Sequence, residues 1–134
     1  MSNNQSFRKK IEEFREKRRK ESLKKARSFK EFLQYKVNYL TIDVCGKYAI
    51  TGSHIMDYQA FAKMVVSNYY QDFFERKVNP TNLSIDDYFD FYEKTWVFPR
   101  RLDPEIIKAL EIAIVNMIEN LDKLHEEYEQ LKKS

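Results

Sequence analysis

The sequence predicts a mainly α-helical fold, a small helical bundle with a basic N-terminal helical arm and a C-terminal coiled-coil helix. Only 2 Gly and 3 Pro occur among 134 residues, which leaves few residues for the tight turns of a β-sandwich or barrel. Eight apolar positions between Ile107 and Leu131 recur at period 3.5, the spacing of a helical seam. This length fits one compact core, so we expect residues 28–134 to form one domain and residues 1–27 an arm.

The arm is predicted to be a helix because it lacks Gly and Pro and is rich in Glu, Lys and Arg. Pairs such as Glu13 and Lys17 have the i,i+4 spacing that stabilises helices. A short apolar stripe at 4,3 spacing consists of Phe7, Ile11 and Phe14. Because the stripe then stops, the arm is expected to be either a solvated helix or one that orders on a partner.

Charge is divided sharply between the arm and the body. Residues 8–30 hold twelve Lys or Arg and four Glu, a net charge of +8, whereas residues 31–134 hold twelve basic and seventeen acidic residues, a net charge of −5. Cations concentrated on a helix are typical of contact with a phosphate backbone. The candidate nucleic-acid-binding residues are Arg8, Lys9, Lys10, Arg15, Lys17, Arg18, Arg19, Lys20, Lys24, Lys25, Arg27 and Lys30. The alternatives are docking on an acidic protein, this chain's own body included, and a purely solubilising role.

The second helix is expected to begin at a capping box formed by Ser28 and Glu31, and apolar residues at helical spacing continue it to Leu40. Beyond Leu40 the apolar and polar residues alternate, and Cys45 is followed by a glycine. This pattern allows one short β-hairpin near 40–51, the alternative being a frayed helix end.

The third predicted helix is capped by Ser53 and runs to about Lys77. Apolar side chains cover nearly every side of it, which is typical of the buried centre of a bundle. Ser84 and Asp87 form another capping box, so a short helix is expected over roughly 85–96.

The last helix is predicted over 104–133, with Asp103 as its cap and Pro104 in its first turn. Its first half has a broad apolar face, which favours packing inside the bundle. Its second half narrows to a two-helix seam, which favours self-association into a homodimer. The candidate dimer-interface residues are Leu121, Leu124, Tyr128 and Leu131.

Signals for an enzyme, a metal site or a cofactor are weak. The two histidines, His54 and His125, have no metal-ligand spacing, and the single Cys45 excludes an intramolecular disulfide and a multi-cysteine metal site. No combination of residues suggests a nucleophile with its base. We therefore expect a non-enzymatic protein with no metal and no cofactor.

An acidic and aromatic segment in the body offers a second candidate surface. Asp86, Asp87 and Asp90 lie close together in a predicted helix that ends near Trp96. The candidates for an interface with a protein target are Asp86, Asp87, Asp90 and Trp96. A solvated acidic face and a packed aromatic core are the simpler alternatives.

The sequence thus favours a non-enzymatic binding module that contacts nucleic acid through the arm and self-associates through its last helix. The alternative is a small inhibitor or adaptor, of the kind found as accessory proteins of bacteria, phages or mobile elements, that docks on a nucleic-acid-handling protein through its acidic body. The first thirty residues have no apolar segment typical of a secretory signal, and no apolar run approaches the ~20 residues of a membrane span. We expect a cytoplasmic protein with no membrane partner.

Overall fold

A computed structural model describes residues 2–75, 83–96 and 102–133, with side chains described from Ser6 onward. Within these ranges the chain forms six α-helices and no β-strand, so the prediction of a mainly α-helical bundle is confirmed. The helices are α1 (Ser2–Lys24), α2 (Phe29–Lys47), α3 (Ser53–Tyr70), α4 (Ile85–Thr95), α5 (Pro104–Glu119) and α6 (Leu121–Lys133). A π-helical turn, Gln71–Glu75, continues α3, and the predicted helix end near Lys77 lies outside the described residues.

The bundle is organised around α2, which packs against α3 and α5, while α4 packs against both α3 and α5. The largest fully buried side chains come from four helices, so one core joins them: Phe32 of α2, Phe61 of α3, Phe89 of α4 and Leu110 of α5. Helices α1 and α6 contact each other and α2, and form a second layer on this core. None of the described helices is long and apolar enough to cross a bilayer.

The helix starts follow the local sequence signals. The Ser28 hydroxyl accepts a hydrogen bond from the Glu31 N–H at 3.1 Å, and Asp103 caps α5 with Pro104 in its first turn. Ser84 and Asp87 form the complete reciprocal capping box. The cap predicted at Ser53 is wrong, because α3 starts at Ser53 and follows Gly52, whose φ of 65° is a conformation that favours glycine.

The hairpin proposed near 40–51 is also wrong, because α2 continues through Lys47. Val37, Thr41, Val44 and Cys45 are all buried, and their spacing of 4, 3 and 1 places them on one helical face. The Thr41 hydroxyl donates to the Val37 carbonyl oxygen at 2.8 Å, which satisfies this buried polar group. Burial of that face against α3 and α5 outweighs the local alternation.

Helix α2 ends in a Schellman motif with alanine at the position that usually holds glycine. The Ile50 N–H donates to the Cys45 carbonyl and the Ala49 N–H donates to the Gly46 carbonyl, while Ala49 has a φ of 58°. The left-handed conformation costs roughly 1–2 kcal/mol for any residue other than glycine. We therefore expect Ala49→Gly to raise the free energy of unfolding by about 1 kcal/mol in urea denaturation.

The matched control for this prediction is Ala60→Gly. Ala60 is exposed in the interior of α3, where glycine costs about 1 kcal/mol relative to alanine. The two substitutions should therefore change stability in opposite directions. A loss of stability at position 49 would contradict the assigned motif.

The helix predicted over 104–133 is divided at Asn120. This residue has φ −105° and ψ 38°, its N–H bonds to the Met117 carbonyl in a tightened turn, and its side-chain amide donates to the Asn116 carbonyl at 3.0 Å. Asn competes for backbone hydrogen bonds in this way, which favours a helix end. The predicted continuous coiled-coil helix is therefore two helices, α5 on the central core and α6 beside α1.

Candidate nucleic-acid interface

The C-terminal end of α1 is anchored on the body by apolar contacts. Leu23 and Ala26 are buried in the core cluster, although both belong to the segment predicted as an arm. Lys132 of α6 donates from Nζ to the carbonyl oxygens of Lys24, at 3.1 Å, and of Ala26. These bonds satisfy carbonyls that the end of α1 leaves without helical partners, and they hold α1 beside α6.

Arg19 provides the second anchor of α1. Its guanidinium donates two hydrogen bonds to the Asp43 carboxylate, at 2.9 and 3.0 Å, and lies 4.8 Å from the centre of the Tyr39 ring. The bond to Asp43 raises the pKa of Arg19, because the carboxylate stabilises the charged guanidinium. Arg19 therefore positions α1, and reversing its charge would release the helix as well as remove a cation. A substitution of Arg19 would therefore not separate a loss of phosphate contact from a displacement of α1.

Beyond Arg19, α1 leaves the body. Every described side chain from Ser6 to Arg18 is exposed, whereas Arg19 meets Asp43 near the end of α2. At 1.5 Å per residue, residues 2–18 extend the helix by about 25 Å. The predicted basic arm is therefore a helix fixed at one end and surrounded by solvent along most of its length.

The twelve candidate cations divide into two groups. Three form ion pairs with acidic residues of the body: Arg19 with Asp43, Arg27 with Glu31 and Lys30 with Glu75. The other nine are exposed, namely Arg8, Lys9, Lys10, Arg15, Lys17, Arg18, Lys20, Lys24 and Lys25. Lys10, Lys17 and Lys24 recur every seven residues, so they form one row along α1.

The seam predicted to bind a second copy is in contact with the same chain. Leu124 is buried, while Leu121, Tyr128 and Leu131 are half-buried and pack against the core. The Tyr128 ring lies 5.8 Å from the Phe29 ring and 5.3 Å from the Phe32 ring. The intrachain neighbours of this seam are thus α1 and α2, and a homodimer through it stays a prediction.

The acidic residues of α4 and Trp96 have different environments. Asp86, Asp87 and Asp90 are exposed, and Asp87 also accepts a hydrogen bond from the Ser84 N–H at 2.9 Å. Trp96 is half-buried and packs edge-on against Phe61, with ring centres 5.5 Å apart. Trp96 therefore belongs with the core, and the three aspartates form the accessible surface. In the described part of the chain no group of three or more His, Cys, Asp or Glu is arranged to hold a metal ion.

Glu111 adds a buried carboxylate beside this acidic surface, a feature that the sequence pattern did not indicate. It is buried on α5 and accepts a hydrogen bond from Lys108 Nζ at 3.0 Å. Burial raises the pKa of Glu111, the bond to Lys108 opposes that shift, and the nearby Asp86 and Asp90 charges add to it. The sequence placed an acid in an apolar helix, but only the fold shows which face it occupies.

The raised pKa of Glu111 predicts a pH dependence of stability. A carboxyl whose pKa is higher in the folded than in the unfolded state binds its proton more tightly when folded. Its contribution to stability therefore becomes unfavourable as the pH rises from the unfolded-state pKa to the folded-state pKa. We expect Glu111→Gln to raise the thermal midpoint at neutral pH. The difference should shrink as the pH falls through the raised folded-state pKa and should be gone below the pKa of an unfolded Glu, roughly pH 4.

Thermal melts of the wild type and this variant across the acidic range measure the effect, with exposed Glu105→Gln on the same helix as the control. A variant that is less stable than the wild type at neutral pH would show that the Lys108 contact dominates over burial.

Comparisons with protein-family models, with curated proteins and with solved structures give no match to this chain. The features that bear on function are therefore the protruding basic helix and the acidic surface of the bundle.

Proposed function

We propose that this protein is a non-enzymatic nucleic-acid-binding module that contacts phosphates through α1 and acts in the cytoplasm. The observation that carries the proposal is the exposure of nine Lys and Arg side chains, eight on α1 and Lys25 directly after it. Most of α1 stands clear of the body. Exposed cations on a rigid support can each meet a phosphate, and each contact releases condensed counterions.

The placement of α1 also weighs against docking of the arm on its own acidic body. The half-buried Arg19 pairs with Asp43 of α2. The other attachments of α1 are the buried Leu23 and Ala26 and the hydrogen bonds from Lys132. The exposed aspartates of α4 are on a helix that packs against α3 and α5. Most of the positive charge of α1 thus remains accessible to an external anion.

The proposal is tested by fluorescence anisotropy of the full chain with labelled duplex DNA, single-stranded DNA and RNA over a series of salt concentrations. We expect binding that weakens steeply with salt, with a log–log slope of about −0.9 per phosphate contact for duplex DNA and about −0.7 for single strands. Absence of binding to all three at low salt would overturn the proposal.

A second candidate function is docking on a protein through the acidic surface of α4. The observation that favours it is the concentration of charge where exposed Asp86 and Asp90 neighbour the buried Glu111. Such a surface suits a basic target and an inhibitor or adaptor role. Asp86→Lys with Asp90→Lys should abolish recovery of a defined basic partner, and we leave Asp87 unchanged because it caps α4. Unchanged recovery would mean that this face is only solvated.

Self-association through α6 remains part of the proposal as a route to assembly. Because Leu124 is buried and α6 contacts both α1 and α2, a second copy would have to displace intrachain contacts at this seam. Light scattering should then give a mass of two chains for the wild type and one chain for Leu121→Glu. A wild type with the mass of one chain would overturn the dimer.

A further inference from the structure

The protruding part of α1 exposes two aromatic rings on the side away from the body. Phe7 is 66% exposed, Phe14 62% and the intervening Ile11 42%. Phe14 precedes the buried Leu23 by nine residues, which is two and a half helical turns, so their side chains leave the helix in opposite directions. No described side chain of the body covers this apolar stripe.

Cations flank the stripe on both sides. Lys10 follows Phe7 by three residues and precedes Phe14 by four, and Arg15 follows Ile11 by four, so each is a direct neighbour on the helix surface. The Arg18 guanidinium lies over the Phe14 ring, 5.8 Å from its centre. The face therefore alternates flat apolar rings with positive charge along the helix.

We propose that this face stacks the unpaired bases of a single-stranded nucleic acid, an inference that rests on the nucleic-acid binding proposed above. Each nucleotide offers an aromatic base and a phosphate close together, which matches a ring with an adjacent cation. A base within a duplex is already stacked on its neighbours and offers no face to Phe7 or Phe14. The substrate class is thus single-stranded DNA or RNA rather than a duplex.

An apolar protein groove fits the same face less well. Helices that bind in grooves present anchors at i, i+4 and i+7, and Phe7, Ile11 and Phe14 have this spacing. However, a groove that encloses Phe14 would also enclose the Arg18 guanidinium that lies on its ring, and would have to remove that charge from water. A nucleic acid supplies a phosphate for the same cation.

The test separates ring stacking from general apolar contact. Affinities of the full chain for oligo(dT), oligo(rU) and a duplex of equal length are measured at one salt concentration. The comparison of oligo(dT) with oligo(rU) shows whether the bound single strand is DNA or RNA. The variants are Phe7→Leu with Phe14→Leu, which keeps apolar side chains but removes the rings, and Phe7→Tyr with Phe14→Tyr, which restores rings. Ile11→Ala is the matched control on the same face.

We expect the wild type to bind one of the single strands at least about tenfold more tightly than the duplex. The double Leu variant should lose about tenfold or more for that strand, while the Tyr variant and Ile11→Ala stay near wild type. All three positions are exposed, so circular dichroism should show the same helix content throughout.

Two results would overturn the inference alone. Retention of single-strand affinity in the Leu variant would mean that the stripe is an apolar anchor, of a kind that a protein groove or a lipid surface would also accept. Equal or tighter binding of the duplex by the wild type would remove the stacking role while leaving the proposed nucleic-acid binding intact. Absence of binding of the wild type to all of these nucleic acids would overturn both the proposed function and this inference.

Discussion

Lys10→Gln, Lys17→Gln and Lys24→Gln together should lower the affinity for nucleic acid by on the order of 100-fold near 0.1 M salt, and should reduce the log–log salt slope by about 2–3. These three side chains form one row on α1 and are all exposed, so their cations are available to phosphates. Glutamine has a helix propensity close to that of lysine, which preserves α1 while three charges are removed. Anisotropy titrations over a salt series measure the affinity and the slope in one experiment.

The control is an equal loss of charge elsewhere on the protein. Lys94→Gln, Lys123→Gln and Lys133→Gln change three exposed lysines of α4 and α6. If α1 is the binding element, this variant keeps a slope near that of the wild type. An equal loss of affinity in both triple variants would show that binding follows net charge, and an unchanged slope in the α1 variant would contradict the assignment of its cations.

Features with local causes were the ones that the sequence predicted well. The caps at Ser28, Ser84 and Asp103 depend on residues within three positions of one another, and each begins a helix as expected. The hairpin prediction failed because alternation of a few residues cannot show that Thr41 and Cys45 will be buried against other helices. Tertiary packing decided that segment, as it often does for short apolar runs.

The break at Asn120 shows a different limit of sequence reasoning. The 3.5-residue apolar period continues on both sides of it, so the pattern contains no interruption. The sequence does contain one local signal, the pair Asn116 and Asn120. The Asn120 side-chain amide donates to the Asn116 carbonyl, a hydrogen bond that competes with those of the helix. The periodic seam therefore predicted which side chains pack, whereas the continuous helix inferred from it was wrong.

The sequence predicted which basic residues belong to the candidate interface, but not which of them are exposed and which pair with the body. Charge counting identified α1 as basic, yet it treated Arg19 and Lys17 alike, although Arg19 pairs with Asp43 and Lys17 is exposed. The difference arises from contacts between residues 24 positions apart, which no local pattern records. For the same reason, only the fold shows that Leu23 is buried while Phe7 and Phe14 are exposed.

Phe61→Ala should destabilise the protein by about 3–5 kcal/mol, a large share of the 5–15 kcal/mol typical of a domain. Phe61 is fully buried and its ring contacts the rings of Phe89, at 5.9 Å, and Trp96, at 5.5 Å, so it joins α3 to α4 and to the end of that helix. Removing it leaves a cavity that these large neighbours cannot close, and urea denaturation measures the loss.

Phe91→Ala is the matched control for that result, because Phe91 lies on α4 close to the same residues but is 60% exposed. Its truncation should change the free energy of unfolding by at most about 0.5 kcal/mol. A small effect at Phe61 would mean that α4 is not packed on α3 as described. The acidic surface that α4 presents would then lack a fixed position beside Glu111, and the second candidate function would lose its structural basis.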